Sequence, residues 1–135
     1  MNQFSSTILL VEDNEDDIFV MRRAMRLGRF SHPLQVVTDG QQAVDYLSGA
    51  RQYADRERHP LPFVVFLDLK LPYLDGFEIL TWVRQQRELD SIVVVVLTSS
   101  PETRDQEQAF ALGARLYLVK PPTPEALNAV FESLK

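Results

Sequence analysis

The sequence has no cysteine in 135 residues, which excludes disulfides and thiolate chemistry and fits a protein of the reducing cytoplasm. A structural zinc site would have only His32 and His59 to draw on. No apolar run approaches the roughly 20 residues that a membrane-spanning helix needs. The opening MNQFSST lacks the basic flank and apolar stretch of a signal peptide, so no membrane partner is expected. Excess positive charge is also missing. A net charge of -5 argues against binding to a nucleic-acid backbone, which relies on a basic face, and suits a small cation or a protein partner. Repeats, low-complexity tracts and linkers are lacking too. The length is that of one domain able to bury a core without staples.

What is present is a regular alternation of apolar and amphipathic segments. Thr7 to Val11 is a continuous apolar run, and Asp16 to Leu27 carries Ile18, Met21 and Met25 at helical spacing with arginines between. A short strand, Leu34 to Val37, meets the turn signal TDG. Gln41 to Leu47 then places Ala43, Val44 and Leu47 on one helical face. Phe63 to Leu67 reads as the central strand, Gly76 to Arg87 as the next helix, and Ile92 to Leu97 as the strongest strand. Pro101 to Leu112 is a helix whose first half, ETRDQEQ, is almost wholly polar, so thin packing is expected. Leu116 to Val119 is a fifth strand, and Pro124 to Leu134 a final helix with proline tolerated in its first turn. The strands are apolar throughout instead of alternating. With helices between them, that pattern predicts an α/β fold: a doubly wound five-stranded parallel sheet with helices on both faces.

Several of these strands release a polar residue at their carboxyl end. TILLVED closes on Glu12 and Asp13, VVFLD on Asp68, IVVVVLTSS on Thr98, and LYLVKPP on Lys120. In an open parallel sheet the carboxyl ends share one edge, and ligands bind in the crevice outside them. These five residues should therefore converge although they are far apart in sequence. Taken singly, each has a plainer reading: Glu12 and Asp13 as caps of the first helix, Asp68 as a turn residue, Thr98 as a cap, Lys120 as a surface lysine. Taken together they carry three negative charges and one positive, unfavourable at low dielectric unless compensated. A divalent hard cation supplies the missing charge, and magnesium accepts such oxygen ligands while keeping several waters. Lys120 and Thr98 can hold an anion opposite the metal. A metal, a carboxylate nucleophile and two anion-holding groups are the parts needed to move a phosphoryl group onto an aspartate.

The motifs LLVEDNEDD, TDGQQAV, VVFLDLKLPYLDG, VVVLTSS and GARLYLVKPPT span nearly the whole chain. In that order and spacing the chain resembles the receiver domain of two-component response regulators, similar to the small single-domain chemotaxis type, and the flavodoxin-like receiver fold is implied. The resemblance implies that Asp68 is the phosphoacceptor and that Glu12, Asp13, Asp68 and the backbone carbonyl of Lys70 hold magnesium. It makes Thr98 the switch hydroxyl, Lys120 the partner of the phosphoryl group, and Tyr117 the aromatic that changes rotamer. Tyr117, read as a strand residue alone, is simply packed. The Lys120–Pro121 peptide is cis in the family. A sensor histidine kinase is the implied phosphoryl source.

Some features depart from the commonest pattern. SGARQYADRERHPLP, between the second helix and third strand, is longer than in chemotaxis-type receivers. Similar segments occur in the small regulators serving cyanobacterial and bacterial phytochromes, whose opening VEDNEDD also resembles, so a phytochrome-type kinase is the expected partner. The segment's mixed charges read as a solvated loop or helix extension, with partner docking by Tyr53 or Arg58 as the alternative. His32 and His59 read as surface residues. Pro122 stiffens the lysine loop, while Lys70 and Ser100 occupy positions that influence phosphoryl hydrolysis in the family. Nothing after Lys135 resembles an output domain, so output is expected through a changed protein surface. Homodimerisation through the fourth helix, fifth strand and fifth helix is one form of it, with Phe131, Leu134 and Leu116 contributing if exposed and otherwise belonging to the core. Rival readings are a phosphorelay intermediate, a receiver-like docking protein that takes no phosphoryl group, a flavin-binding module, and a haloacid-dehalogenase-type phosphatase. The phosphatase needs a second acid where Lys70 stands. The flavin module needs a phosphate-cradling loop where EDNEDD repels phosphate.

Overall fold

A computed structural model describes residues 6–135; the first five residues, which carry most of the stretch read above for a signal peptide, lie outside the described residues. Within the described residues the chain runs β1 (Ile8–Val11), α1 (Glu15–Leu27), β2 (Leu34–Val37), α2 (Gly40–Ser48), β3 (Val64–Leu67), α3 (Gly76–Arg84), β4 (Val93–Thr98), α4 (Thr103–Ala111), β5 (Leu116–Val119) and α5 (Pro124–Ser133). All strand pairs are parallel, in the order β2-β1-β3-β4-β5. From β1 the chain first winds outward to β2, then returns to place β3 on the other side. The winding direction thus reverses between β1 and β3, and the crevice above that switch point is where an open α/β sheet receives its ligand.

The burial pattern explains the unbroken apolar strands. β1 and β3 are buried at every residue, because each lies between two neighbours and beneath helices on both faces. Leu9, Val11, Val65, Leu67, Val94 and Val96 face α2, α3 and α4. The intervening Ile8, Leu10, Val64, Phe66, Val95 and Leu97 face α1 and α5. A polar residue at any of these positions would meet a core on one side or the other.

Helix starts follow from capping chemistry. Asn14 accepts from the Asp17 amide at 3.0 Å, Asp39 from Gln42 at 2.8 Å, and Thr123 from Ala126 at 3.0 Å. Asp75 and Glu78 form a reciprocal capping box at α3. The true cap of α1 is therefore Asn14, which frees Glu12 and Asp13 from that role. α4 begins at Thr103, two residues later than expected, without a side-chain cap. Ala109 is its only buried residue, in keeping with the polar ETRDQEQ. α3 stops at Arg84, and a separate 3-10 turn at Arg87–Leu89 replaces its expected last turn.

The long segment between α2 and β3 is solvated over most of its charged residues, with Arg51, Asp55, Glu57 and Arg58 exposed, but is pinned to the domain at two points. Tyr53, in a 3-10 turn at Arg51–Tyr53, is buried and its ring lies 5.0 Å from that of Tyr46. Arg56 donates to the carbonyls of Tyr46 (2.7 Å), Leu47 (2.9 Å) and His59 (3.2 Å), adding to the capping of the C-terminal end of α2. Tyr53 is thus a core residue and does not present a docking side chain. Nor are the histidines surface residues: both are half-buried, His59 against Tyr46 and Tyr53 and His32 between Phe63 and Phe131. Phe131 is buried and so belongs to the core, and Leu116 and Leu134 are partly buried against the same core.

Gly76 ties this architecture to the switch point. Its amide donates to the Leu69 carbonyl at 2.9 Å, and a Cβ there would collide with the Asp68 carbonyl oxygen and lie 2.7 Å from Leu69 Cα. Both obstacles are backbone and cannot swing aside. Gly76→Ala is expected to destabilise the fold by roughly 1–3 kcal/mol, read as a lower urea unfolding midpoint; a midpoint equal to wild type would contradict this packing.

Candidate functional site

Backbone bonds carry the ladder one residue past the strands and so fix where the polar residues stand. The Glu12 amide donates to the Val37 carbonyl (3.0 Å), Asp68 to Val11 (3.2 Å) and Lys120 to Thr98 (2.8 Å). Glu12, Asp68 and Thr98 are buried; Asp13 is exposed at the mouth of the crevice. Oxygens of Glu12, Asp13 and Asp68 all lie within 4.8 Å of one another. The three carboxylates therefore converge as expected.

Lys120 Nζ lies 2.6 Å from Glu12 Oε1, 2.8 Å from Asp68 Oδ2 and 2.8 Å from Asp17 Oδ2. Asp17 was not singled out in the sequence. It stands in the first turn of α1, in the same acidic run as Asp13, and ends no strand. Burial works against the ammonium, but the carboxylates of Asp17, Asp68 and Glu12 outweigh it and hold the Lys120 pKa above the ordinary lysine value. For Glu12 burial prevails: its carboxyl is pushed up to about 7, with Asp68 adding to the rise and Lys120 opposing it.

Thr98, the last residue of β4, has a buried hydroxyl with no hydrogen-bond partner among the described residues. An orphaned buried hydroxyl costs stability, and one placed beside a carboxylate crevice is a donor waiting for an acceptor. Asp68 Oδ1 accepts from the Lys70 amide at 3.3 Å. Tyr117 is half-buried and turned toward the β4–α4 loop, where its hydroxyl donates to the Ser100 carbonyl at 2.8 Å. Ser100 in turn donates to Asp105 Oδ2 at 2.6 Å, a link that joins the loop to α4. The peptide Lys120–Pro121 is cis.

The donor set fits a divalent cation. Three carboxylate oxygens converge, one residue is open to solvent, and hard oxygen ligands with room for water suit such an ion. The crevice holds too few positive charges for its acids, so a cation there relieves repulsion as well as gaining ligands.

This fold and site have close counterparts. The response regulator receiver domain family matches residues 8–132, and the chain belongs to that family. A probable methanogenesis regulatory protein, FilR2 of Methanothrix harundinacea, is 36% identical over 128 residues, covering 95% of this chain and 80% of that one. Response regulator Rcp1 of Synechocystis is 35% identical over 113 residues, covering 84% and 75%. Among solved structures, the bacteriophytochrome response regulator RtBRR superposes with a TM-score of 0.85 at 40% identity, covering 96% of this chain and 77% of that one. The phosphorylated cyanobacterial phytochrome response regulator RcpA gives 0.80 at 31%, covering 96% and 90%. The Mn(2+)-bound form of Rcp1 gives 0.78 at 32%, covering 96% and 89%. A phosphoacceptor role in two-component signalling fits this family. Among the described residues no helix is long and apolar enough to cross a membrane.

A raised Glu12 pKa has a signed consequence. In metal-free protein its contribution to stability is complete below about pH 4.5 and is lost as pH rises through about 7. A bound cation needs the ionised form and reverses the trend. Glu12→Gln is expected to remove this component: between pH 5 and pH 8 the metal-free variant should lose less thermal stability than wild type. Identical pH profiles would contradict the assignment.

Proposed function

We propose that Asp68 accepts a phosphoryl group from a histidine kinase, with magnesium as the cation, and that the chain signals through the surface this rearranges. The reading is carried by one juxtaposition: Asp68 shares the Lys120 ammonium, sits among carboxylate oxygens within 4.8 Å, and follows β3, the neighbour of the β4 strand that ends on Thr98, whose buried hydroxyl has no partner among the described residues. In the transfer an Asp68 oxygen attacks phosphorus and the bond from phosphorus to the donor nitrogen breaks. Its electron pair stays on the donor imidazole, which takes up a proton. Glu12, Asp13, Asp68 and the Lys70 carbonyl would hold magnesium, which when bound neutralises charge on the transferring group. Manganese in the Rcp1 structure supports a divalent ion at this kind of site.

Lys120 then turns an N–H to a phosphoryl oxygen, and Thr98 Oγ1 gains the acceptor it lacks. The modification replaces one negative charge by about two, and each hydrogen bond to such a group is worth roughly 1.5–3 kcal/mol. That is sufficient to move a two-state equilibrium about ten- to a hundredfold. Thr98 is two residues from Ser100, whose carbonyl holds Tyr117 and whose hydroxyl holds Asp105. Thr98 movement therefore pulls on Tyr117 and α4 together. The half-exposed Phe110 and Val119 lie on the face of α4, β5 and α5, which we assign to a partner or a second copy of this chain. The kinase is assigned to the phytochrome type on the likeness to RtBRR, RcpA and Rcp1, and the compartment to the cytoplasm.

Intact-mass measurement after incubation with acetyl phosphate and magnesium tests the acceptor. Wild type should gain one phosphoryl mass, and Asp68→Asn none. A gain in the variant would place the acceptor elsewhere.

A further inference from the structure

Asp17 is the one member of the lysine's partner set that the reaction does not require. An ammonium has three N–H donors, and in Lys120 all three are engaged, by Glu12, Asp17 and Asp68. Glu12 and Asp68 belong to the group of carboxylates close enough to share a cation; Asp17 stands outside it. Its backbone is anchored in the first turn of α1 by the Asn14 cap. Its side chain is 38% exposed, against 2% for Glu12 and 8% for Asp68, so the pull it exerts on the ammonium is outward from the crevice.

We propose that Asp17 is a positioning residue that competes with the phosphoryl group for Lys120, holding the lysine in its resting place and so weakening retention of phosphate on Asp68. Hydrogen-bond count and charge argue for the same sign. When a cation draws Glu12 and Asp68 to itself, Asp17 is the carboxylate left holding the ammonium, so a phosphoryl oxygen competes with Asp17 for the position of Lys120. Asp17 also adds a negative charge beside the crevice, making an anion there less welcome. The cost is limited because the pair is partly open to solvent, and such pairs are weak and salt-screened.

The inference rests on the proposed role of Asp68, and its test uses trifluoroberyllate as a phosphoryl mimic at saturating magnesium, followed by 19F NMR. Asp17→Asn should bind the mimic about two- to fivefold tighter than wild type, while its affinity for magnesium alone is unchanged or lower. Asp17→Glu, which keeps the charge and can still reach Lys120, should return the mimic affinity toward wild type. A merely structural role would weaken both ligands in Asp17→Asn, and that result overturns the proposal, as does equal or weaker mimic binding with magnesium affinity intact. Wild type that binds no mimic would overturn the Asp68 reading and this inference with it, whereas wild-type binding with no gain in Asp17→Asn overturns this inference alone.

Discussion

The ammonium of Lys120, shared among Glu12, Asp17 and Asp68 at 2.6–2.8 Å, is the interaction on which the rest of the site depends. It lies at the carboxyl ends of strands from both halves of the sheet and is the counter-charge that allows carboxylates to stand this close in metal-free protein. Without it, buried Glu12 and Asp68 would face each other and Asp13 across less than 5 Å, an arrangement that favours protonation or expansion of the crevice. The lysine can do this because β5 is the edge strand next to β4, with the Lys120 amide bonded to the Thr98 carbonyl. A long side chain launched from there reaches across β4 to the switch point.

The site remains under-neutralised all the same, and that residual imbalance is what makes it responsive. In the proposed function a cation is attracted by the surplus of acids, and a phosphoryl group by the cation, by Lys120 and by the orphaned Thr98 hydroxyl. Each group left unsatisfied in the resting protein is therefore a place where a ligand gains. Tyr117 and Ser100 form the path along which the proposed switch would travel, since one hydrogen bond joins β5 to the β4–α4 loop and another joins the loop to α4. α4 contributes little to the core, and an element with little buried apolar surface is the one most easily displaced.

Much of this was legible in the sequence. Continuous apolar runs at strand length revealed the parallel sheet because two-sided burial leaves no room for alternation, and the polar residue ending each run marked the site because all run ends share one edge. Helix boundaries were less legible where capping decides them: Asn14, not the acids before it, starts α1, and the third and fourth helices are shorter than their periodicity suggests. The segment before β3 was legible in part: most of its charges are exposed as their composition suggests, while Arg56 turns its guanidinium inward onto α2 carbonyls and Tyr53 lies beside Tyr46. Asp17 escaped notice because it ends no strand. Its role depends on how far Lys120 reaches, a distance that no one-dimensional pattern contains.

Replacing Lys120 by methionine removes the counter-charge while keeping the side-chain length, and the unfolding free energy of that variant with and without magnesium tests the central claim most directly. Loss of one partner from a buried charge cluster costs about 3–5 kcal/mol. Lys120→Met should show a loss approaching that range in metal-free buffer and recover most of it in saturating magnesium, gaining more from the ion than wild type does. A variant as stable as wild type without magnesium, or one that magnesium fails to restore, would contradict the account.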